Sequence, residues 1–436
     1  MEYIPNILFA LILAVGIGYF TRNIRQLIRN IKLGRAVDVS DHKEQRWKNM
    51  ARIALGQSKM VRRPIAGFLH VIVYVGFVII NIEVIEIIID GLFGTHRIGL
   101  KILPDSVYGF LIASFEILAV LVLVTVIIFW CRRNVVKIKR FLSSEMKGWP
   151  KSDGNIILYF EVVLMCLFLV MNATDVSFQR LGHGNVISQF IAPWFGDNPE
   201  TLHSIERVAW WLHIIGILIF LNYLYFSKHL HILLAFPNTY FGSVEPKGKL
   251  DNLEAVTNEV KLMMDPDADP FAAAPEGSED EEPEKFGASD VMDLNQIQLL
   301  NAYTCTECGR CTSACPANLT GKKLSPRKIM MDTRDRLEEV GKNINLNDGV
   351  FKDDGKQLLG DYVTTEELWA CTTCNACVEE CPVSINPLSI ILEMRRYLVM
   401  EQSAAPTELN NMMTNIENNG APWPYNQMDR LNWKDE

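Results

Sequence analysis

Five long apolar runs constrain the fold of this 436-residue chain more than any other feature. A helix needs about 20 apolar residues to cross the hydrocarbon core of a bilayer. Every run has about that length and contains at most one charged residue; the runs are residues 3–21, 64–82, 106–131, 155–174 and 208–227. The sequence therefore predicts an all-α fold whose N-terminal half is a five-helix transmembrane bundle.

The segments between the runs predict the orientation of the bundle. Segments 22–63 and 132–153 carry 12 and 7 Lys or Arg residues, whereas segments 83–105 and 175–207 carry 2 each. Because Lys and Arg accumulate in cytoplasmic loops, we expect the N-terminus outside and everything after the fifth helix in the cytoplasm of a bacterial inner membrane. The first run lacks the flanking signals of a cleaved signal peptide, so we expect a retained helix.

The net charge of −9 comes from one short segment. Residues 265–293 contain 11 acidic residues and one Lys, a net charge of −10, which leaves about +1 for the rest of the chain. No basic face is left for a nucleic-acid partner, so we exclude that class. Residues 265–290 have the composition of a disordered acidic linker, and residues 247–264 before them have the pattern of a short amphipathic helix.

Histidines at membrane depth indicate cofactor chemistry. His70 lies in the second run and His213 in the fifth, while His229 and His231 follow the end of the fifth. In a continuous helix His213 and His231 would share one face, because 18 residues make five whole turns. Two facing helices can each offer an imidazole to one haem iron. We therefore expect His70 and His231, with His229 as the alternative, to hold a haem b.

A second haem near His213 lacks an obvious second ligand. The facing position on the second helix is near Asn81, and asparagine is not a usual haem ligand. The outer haem is therefore absent, held by one histidine, or replaced by a quinone pocket. Hydrogen bonds to backbone carbonyls are the alternative explanation for each histidine. Four glutamates fit either a proton path or a structural hydrogen bond, so none is given a role: Glu83, Glu86, Glu116 and Glu161.

Eight of the ten cysteines lie after residue 300, in two copies of the pattern C-x2-C-x2-C-x3-C-P. In two-cluster ferredoxins with this spacing, the fourth cysteine of each motif binds the other cluster. We therefore expect one 4Fe–4S cluster on Cys305, Cys308, Cys311 and Cys381. We expect the second on Cys371, Cys374, Cys377 and Cys315. Two complete copies disfavour a zinc site, and the predicted cytoplasmic location disfavours disulfides.

The 55 residues between the motifs predict a helical module. Ser325 followed by Pro326 is a helix start, and Gly341 is the predicted end of that helix. Thr364 with Glu367 forms a capping box. Another helix is expected to begin at Asn386.

The sequence predicts four parts in the whole chain. They are a membrane domain (1–244), a helix and linker (245–291), a dicluster domain (292–401) and a C-terminal tail for partner docking (402–436).

Several segments carry a resemblance to a known family. They are residues 62–64, 67–70 and 76–77 of the second run, residues 225–231, the two cysteine motifs, and residues 415–423 and 430–433. Together they resemble the membrane iron–sulfur oxidoreductases of the heterodisulfide-reductase type, in which a nitrate-reductase-gamma-like cytochrome b is fused to a dicluster domain. The resemblance covers nearly the whole chain except the acidic linker.

The family supplies further expectations. Its haem ligands are two histidines of the second helix and two of the fifth, and His70, His213 and His231 match three of these. Fused members continue into cysteine-rich CCG domains, whereas this chain stops at Glu436. The resemblance therefore implies a separate partner subunit that carries them. Relatives pass electrons between quinone and an electron-transfer flavoprotein, a heterodisulfide or a sulfur-carrying protein.

Haem and two iron–sulfur clusters would form a set of one-electron carriers. The sequence has no dinucleotide-binding motif, no P-loop motif and no motif for a catalytic serine or cysteine nucleophile. Substrate chemistry is therefore expected on another subunit. We therefore expect a membrane-anchored electron-transfer subunit between the (mena)quinone pool and a cytoplasmic CCG-type or flavoprotein subunit. The alternatives are an iron–sulfur or anchor subunit of a glycerol-3-phosphate- or succinate-type dehydrogenase, and a non-catalytic redox sensor.

Overall fold

The computed structural model describes residues 3–266 and 285–435, and these residues form helices without a β-strand, which confirms the all-α prediction. Five helices are long and apolar enough to cross a membrane. They are α1 (Ile4–Ile31), α2 (Pro64–Phe93), α3 (Asp105–Asn134), α4 (Trp149–Thr174) and α5 (Pro199–Tyr223). Each predicted run falls on one of them, so the five-helix prediction is confirmed.

The spanning helices pack against one another through small residues and a shared apolar core. Gly76 of α2 lies so close to α3 that an added Cβ atom would be 2.4 Å from Val122 Cγ2. Phe115 of α3, Phe168 of α4 and Ile214 of α5 are buried in the same core. Many apolar side chains remain exposed on the outside of the bundle, as helices that face lipid require.

The fifth spanning helix does not continue to His231. A single 3-10 turn over Leu224–Phe226 follows α5, and Ser227 is extended, with φ −118° and ψ 146°. The next α-helix, α6, covers His231–Phe241. Asp153 of α4 holds this break, because its carboxylate accepts hydrogen bonds from Ser227 Oγ at 2.7 Å and Lys228 N at 3.1 Å. The expectation that His213 and His231 share one face of a continuous helix is therefore wrong.

Short helices fill the connections of the membrane half. They are Lys43–Met50, Gly99–Ile102, Val176–Arg180, Ser188–Ile191 and Glu254–Met264. The last begins later than the predicted amphipathic helix, because Gly248 before it has a left-handed φ of +88°. The predicted acidic linker falls largely on residues 267–284, which lie outside the described residues. Its end is packed, since Ala288 and Ser289 are buried.

The C-terminal half is a helical module built around α7 (Pro326–Leu346). The other helices of this half are Gln296–Thr304, Arg310–Ala314, Pro316–Leu319, Thr365–Trp369, Ala376–Glu380, Pro387–Arg396 and Thr407–Asn419. The capping box of Thr364 and Glu367 and the helix start at Asn386 are confirmed. Arg336 of α7 is fully buried and pairs with Asp290 and Asp354, which ties the start of the module and the loop after α7 to its central helix.

Gly341 does not end α7, which continues to Leu346. The glycine serves a close contact between the two halves of the chain, because an added Cβ atom would lie 2.5 Å from Asn30 Nδ2. Asn30, near the end of α1, donates from that nitrogen to the Tyr303 hydroxyl at 3.0 Å. The prediction of a helix end at Gly341 is wrong, since local sequence cannot separate a helix stop from a tight packing position.

The module packs against one end of the membrane bundle, the end that carries both Lys- and Arg-rich loops. From the loop before α2, Arg63 donates to Ser313 Oγ at 3.0 Å and pairs with Glu380 at 2.9 Å. From the loop before α4, Glu145 pairs with Arg327 of the module at 2.6 Å. We call this the inner end of the bundle, and the opposite end the outer end.

Candidate cofactor sites

Three of the four predicted haem-site histidines meet at the inner end. The ring centres of His70 and His231 are 6.4 Å apart, with an angle of 43° between the ring planes. His229 lies beside them, with its ring centre 5.5 Å from that of His231 and 5.3 Å from that of Phe220. The break after α5 makes this possible, because it turns the chain so that α6 begins at His231.

The hydrogen bonds of the pair leave ring nitrogens free. His231 Nδ1 donates to the Lys228 carbonyl oxygen at 3.1 Å, which leaves Nε2 as the nitrogen available for a metal. His70 Nδ1 is buried and has no hydrogen-bond partner among the described residues. The distance between the ring centres would let both imidazoles hold one metal ion, because a metal–nitrogen bond is about 2 Å long. The pair therefore fits a shared metal.

His213 is separated from this group and has no comparable partner. It is buried in the middle of α5, and its ring packs near that of Phe168, with 6.1 Å between the ring centres. Asn81 donates to the Phe77 carbonyl oxygen of its own helix at 2.6 Å. Among the described residues, the structure therefore brings no second histidine into ring contact with His213.

The first predicted cysteine set lines one cavity of the module. Cys305, Cys308, Cys311 and Cys381 all line this cavity, together with Cys377 of the second predicted set. Burial raises the pKa of the Cys305 thiol to about 12 and that of Cys381 to about 11. Because thiolates rather than thiols bind iron, these two buried thiols would need a cationic occupant to ionise.

The second predicted set lies beside the first. Burial raises the pKa of the Cys377 thiol to about 12, and the nearby sulfurs of Cys371 and Cys315 add to the effect. Cys374, the remaining member, is exposed. The two sets are thus adjacent, and the second reaches the surface of the module.

The two cysteine motifs share the same unusual backbone. Glu307 and Thr373 occupy equivalent positions and both have left-handed φ angles, of 53° and 55°. Gly309 and Asn375, two residues further on, are also left-handed, with φ of 70° and 59°. Non-glycine residues in this region are uncommon, so a conformation repeated at matching positions indicates a shared binding turn rather than chance.

The loop of the first cysteine set contacts the segment that leads into the membrane helix with His70. Arg310 donates to the backbone oxygens of Lys59 at 3.2 Å and of Met60 at 3.1 Å, just before α2 begins. Glu307, between Cys305 and Cys308, forms an ion pair with Lys228, whose backbone oxygen accepts the hydrogen bond from His231. The histidine pair and the first cysteine set are therefore held by shared residues.

Sequence reasoning missed this connecting network. Lys228 is nearly buried, and its Nζ atom lies 3.7 Å from Asp153 as well as beside Glu307. Arg334 of α7 pairs with the other oxygen of Glu307 at 2.9 Å. The partners are far apart in the chain, so no local spacing could reveal them. The one available signal was a lysine directly before His229, at the end of a membrane span.

Three of the intramembrane glutamates differ in how their carboxylates are hydrogen-bonded. Glu116 Oε2 accepts from the backbone nitrogens of Ile187 at 2.7 Å and Ser188 at 3.0 Å, which is a structural role. Glu86 accepts from Gly99 N at 2.8 Å. Glu83 is buried, and its Oε2 atom has no hydrogen-bond partner among the described residues.

Known proteins resemble both halves of the chain. Residues 304–385 match the family model described as a 4Fe-4S dicluster domain. The chain is 29% identical to the probable iron-sulfur-binding oxidoreductase FadF of Bacillus subtilis, across 99% of this chain and 61% of that protein. It is 26% identical to the EtfAB:quinone oxidoreductase of Syntrophomonas wolfei, across 88% and 53%.

A probable membrane-anchored ferredoxin of Chromohalobacter salexigens is 32% identical, across 34% of this chain and 24% of that protein. The chain spans less than two thirds of the length of each of these relatives. No solved structure matches it. The chain is thus similar to iron–sulfur oxidoreductases and electron-transfer proteins, and its C-terminal half contains a 4Fe–4S dicluster domain behind a bundle of five apolar helices.

Proposed function

We propose that this protein is a membrane-anchored electron-transfer subunit. It would relay electrons between the quinone pool and a soluble redox partner, by way of haem b and two 4Fe–4S clusters. The observation that carries the proposal is the spatial order of the candidate sites. The histidine pair lies at the inner end of the bundle, the first cysteine set is docked directly on that end, and the second set reaches the module surface at Cys374.

The cysteine ligand sets follow from the motif spacing and agree with the grouping of the thiols. Cys305, Cys308, Cys311 and Cys381 would hold one cluster, and Cys371, Cys374, Cys377 and Cys315 the other. Bound clusters supply one-electron transfer at these positions. The protein's own contribution is to bury Cys305 and Cys381 of the first set, to orient both binding turns and to leave Cys374 of the second set accessible to a partner.

The haem assignment stands on the fit of the histidine pair. His70 and His231 would hold one haem b, with His229 as the alternative to His231. A haem b bound there would supply one-electron transfer between the membrane and the module. The Lys228 carbonyl fixes the tautomer and orientation of His231, as partners of metal-bound histidines do.

The proposed orientation places the module in the cytoplasm of a bacterial cell. The module packs on the same end of the bundle as the two Lys- and Arg-rich loops, and such loops face the cytoplasm. A location in the cytoplasm also keeps the cysteines reduced and free for iron. The partner is proposed to be a CCG-type iron–sulfur subunit or a flavoprotein that binds near Cys374.

The quinone part of the proposal has support from one relative, whose name describes a quinone oxidoreductase. The test uses the full chain in detergent under anaerobic conditions, with its clusters reduced by dithionite and the excess removed. Addition of a menaquinone analogue should abolish the electron paramagnetic resonance signal of the reduced clusters. Clusters that stay reduced with excess quinone, but become oxidised with ferricyanide, would contradict a quinone-linked function.

A matched pair of variants makes this test specific. Cys374→Ser changes an exposed member of the second cysteine set, whereas Cys166→Ser changes an exposed cysteine of α4 outside both motifs. We expect the first variant to lose the signal of one cluster and the second to retain both. Equal cluster content in the two variants would contradict the ligand assignment.

A further inference from the structure

A second group of potential metal ligands lies at the outer end of the bundle. Ligand atoms of His96, Asp175 and Glu206 are all within 4.8 Å of one another. The three residues come from separate parts of the chain: the loop after α2, the residue after α4, and α5. His96 Nε2 is 3.2 Å from Asp175 Oδ2, a separation that also suits two ligands of one metal ion.

Glu83 provides an independent indication that this group has an occupant. Its side chain lines the same cavity as His96, Asp175 and Glu206. The residue is 3% exposed, and Oε2 has no hydrogen-bond partner among the described residues. A buried carboxylate oxygen without a donor is costly, and a bound cation would remove that cost.

The size of the cavity limits what the occupant can be. Its volume of about 20 Å³ is enough for one water molecule or one metal ion. A quinone ring or a haem would not fit. The site is therefore distinct from the proposed haem and quinone functions.

The charges around the cavity favour a cation. Five carboxylates line it, against two guanidinium groups, which leaves three negative charges in excess when all are ionised and His96 is neutral. Arg97 donates to Asp175 at 2.5 Å and to Asn172 at 2.8 Å. Arg207 is paired with its neighbour Glu206. Both arginines therefore orient ligand carboxylates and do not neutralise Glu83 through a hydrogen bond.

We propose that His96, Asp175 and Glu206 bind one divalent transition-metal ion beside Glu83, with Zn²⁺ as the reference ion. One imidazole and carboxylate oxygens at bonding distances of about 2 Å form a usual zinc ligand set. Such an ion links the loop after α2 to α4 and α5, and it locks the outer end of the bundle. The proposal does not depend on electron transfer by the protein.

The test is equilibrium dialysis of the full chain in detergent against Zn²⁺ alone, with metal and protein counted by mass spectrometry. The His96 side chain is 46% exposed, so His96→Ala leaves the core intact. His203→Ala is the matched control, because it removes an exposed histidine from the outer part of α5. We expect the unmodified chain and the control to bind one more Zn²⁺ per chain than His96→Ala.

A second variant tests the same site without changing His96. Glu83→Gln keeps the shape of the side chain, and we expect it to weaken Zn²⁺ binding by about ten-fold or more. The thermal midpoint should rise with Zn²⁺ in the unmodified chain and in His203→Ala, and not in His96→Ala. Equal Zn²⁺ content in all four proteins would overturn the proposal and leave the cavity to a water molecule.

Discussion

The two ends of the membrane bundle differ in how completely their buried charged groups are paired. At the inner end, charges are paired between the bundle and the module: Lys228 with Glu307, and Glu145 with Arg327. At the outer end, carboxylates outnumber guanidinium groups and Glu83 has an unsatisfied oxygen. The inner network fixes two halves of one chain, whereas we propose that a bound cation completes the outer network.

The largest expected effect on the inner network comes from removing Lys228. Lys228→Met leaves Glu307 and Asp153 buried with fewer partners, which should cost about 3 kcal/mol of stability. Thermal unfolding of the full chain in detergent, followed by loss of cluster absorbance, measures the effect. The control is Lys322→Met, which changes an exposed lysine of the same module. Similar loss in both variants would show that the buried pair has no special role.

The second effect concerns Glu145, which anchors Arg327 and also accepts from Ser325 Oγ at 2.9 Å. Arg327 is fully buried, so Glu145→Gln should cost about 2 kcal/mol through a weaker hydrogen bond to a charged group. The same unfolding assay measures it. Glu417→Gln, at an exposed position of the C-terminal helix, should leave stability unchanged.

Glu145 also gives the inner end a pH dependence. Burial opposes ionisation of Glu145 and is the largest single influence, but the hydrogen bonds from Arg327 and Ser325 and the charge of Arg327 together lower the pKa below the ordinary value of 4.5. A carboxyl with a depressed pKa in the folded state stabilises above its unfolded pKa, and this contribution is lost as the pH falls through the folded value. We expect the stability difference between the unmodified chain and Glu145→Gln to shrink below pH 4.5. A difference that is constant with pH would contradict this pairing.

The third effect tests the close contact of α1 with α7. Gly341→Ala places a Cβ atom against Asn30, and overpacking of this kind costs about 1–3 kcal/mol. Alanine favours a helix over glycine by about 1 kcal/mol, so the net loss should be small. Combining Gly341→Ala with Asn30→Ala should cost less than the sum of the single changes. Additive losses in the same unfolding assay would show that the two residues are not coupled.

The smallest effect is expected for an exposed pair across the same junction. Arg62 pairs with Glu379, but both side chains are substantially exposed. Arg62→Ala should cost less than about 1 kcal/mol, because solvent screens such pairs. The difference between the stability lost in Lys228→Met and that lost in Arg62→Ala then measures how much burial strengthens an ion pair. A loss as large as that of Lys228→Met would remove the distinction.

The sequence predicts features that depend on local pattern. Apolar runs predict the five helices, and the cysteine spacing predicts thiol groups that the fold indeed places together. The break at Ser227 is not predictable, because it depends on Asp153 from another helix. The pair of Lys228 with Glu307 and the outer group around His96 likewise join residues that are distant in the chain. Gly341 shows that one residue type can mark either a helix end or a tight contact.

We propose that the histidine pair at the inner end holds a haem b beside the iron–sulfur module. The most direct measurement is the pyridine haemochrome content of the purified full chain, compared among His70→Ala, His231→Ala and the exposed-histidine control His203→Ala. We expect haem b in the unmodified chain and in the control, and its loss from both other variants. Full haem content in His70→Ala and His231→Ala, or no haem in the unmodified chain, would contradict it.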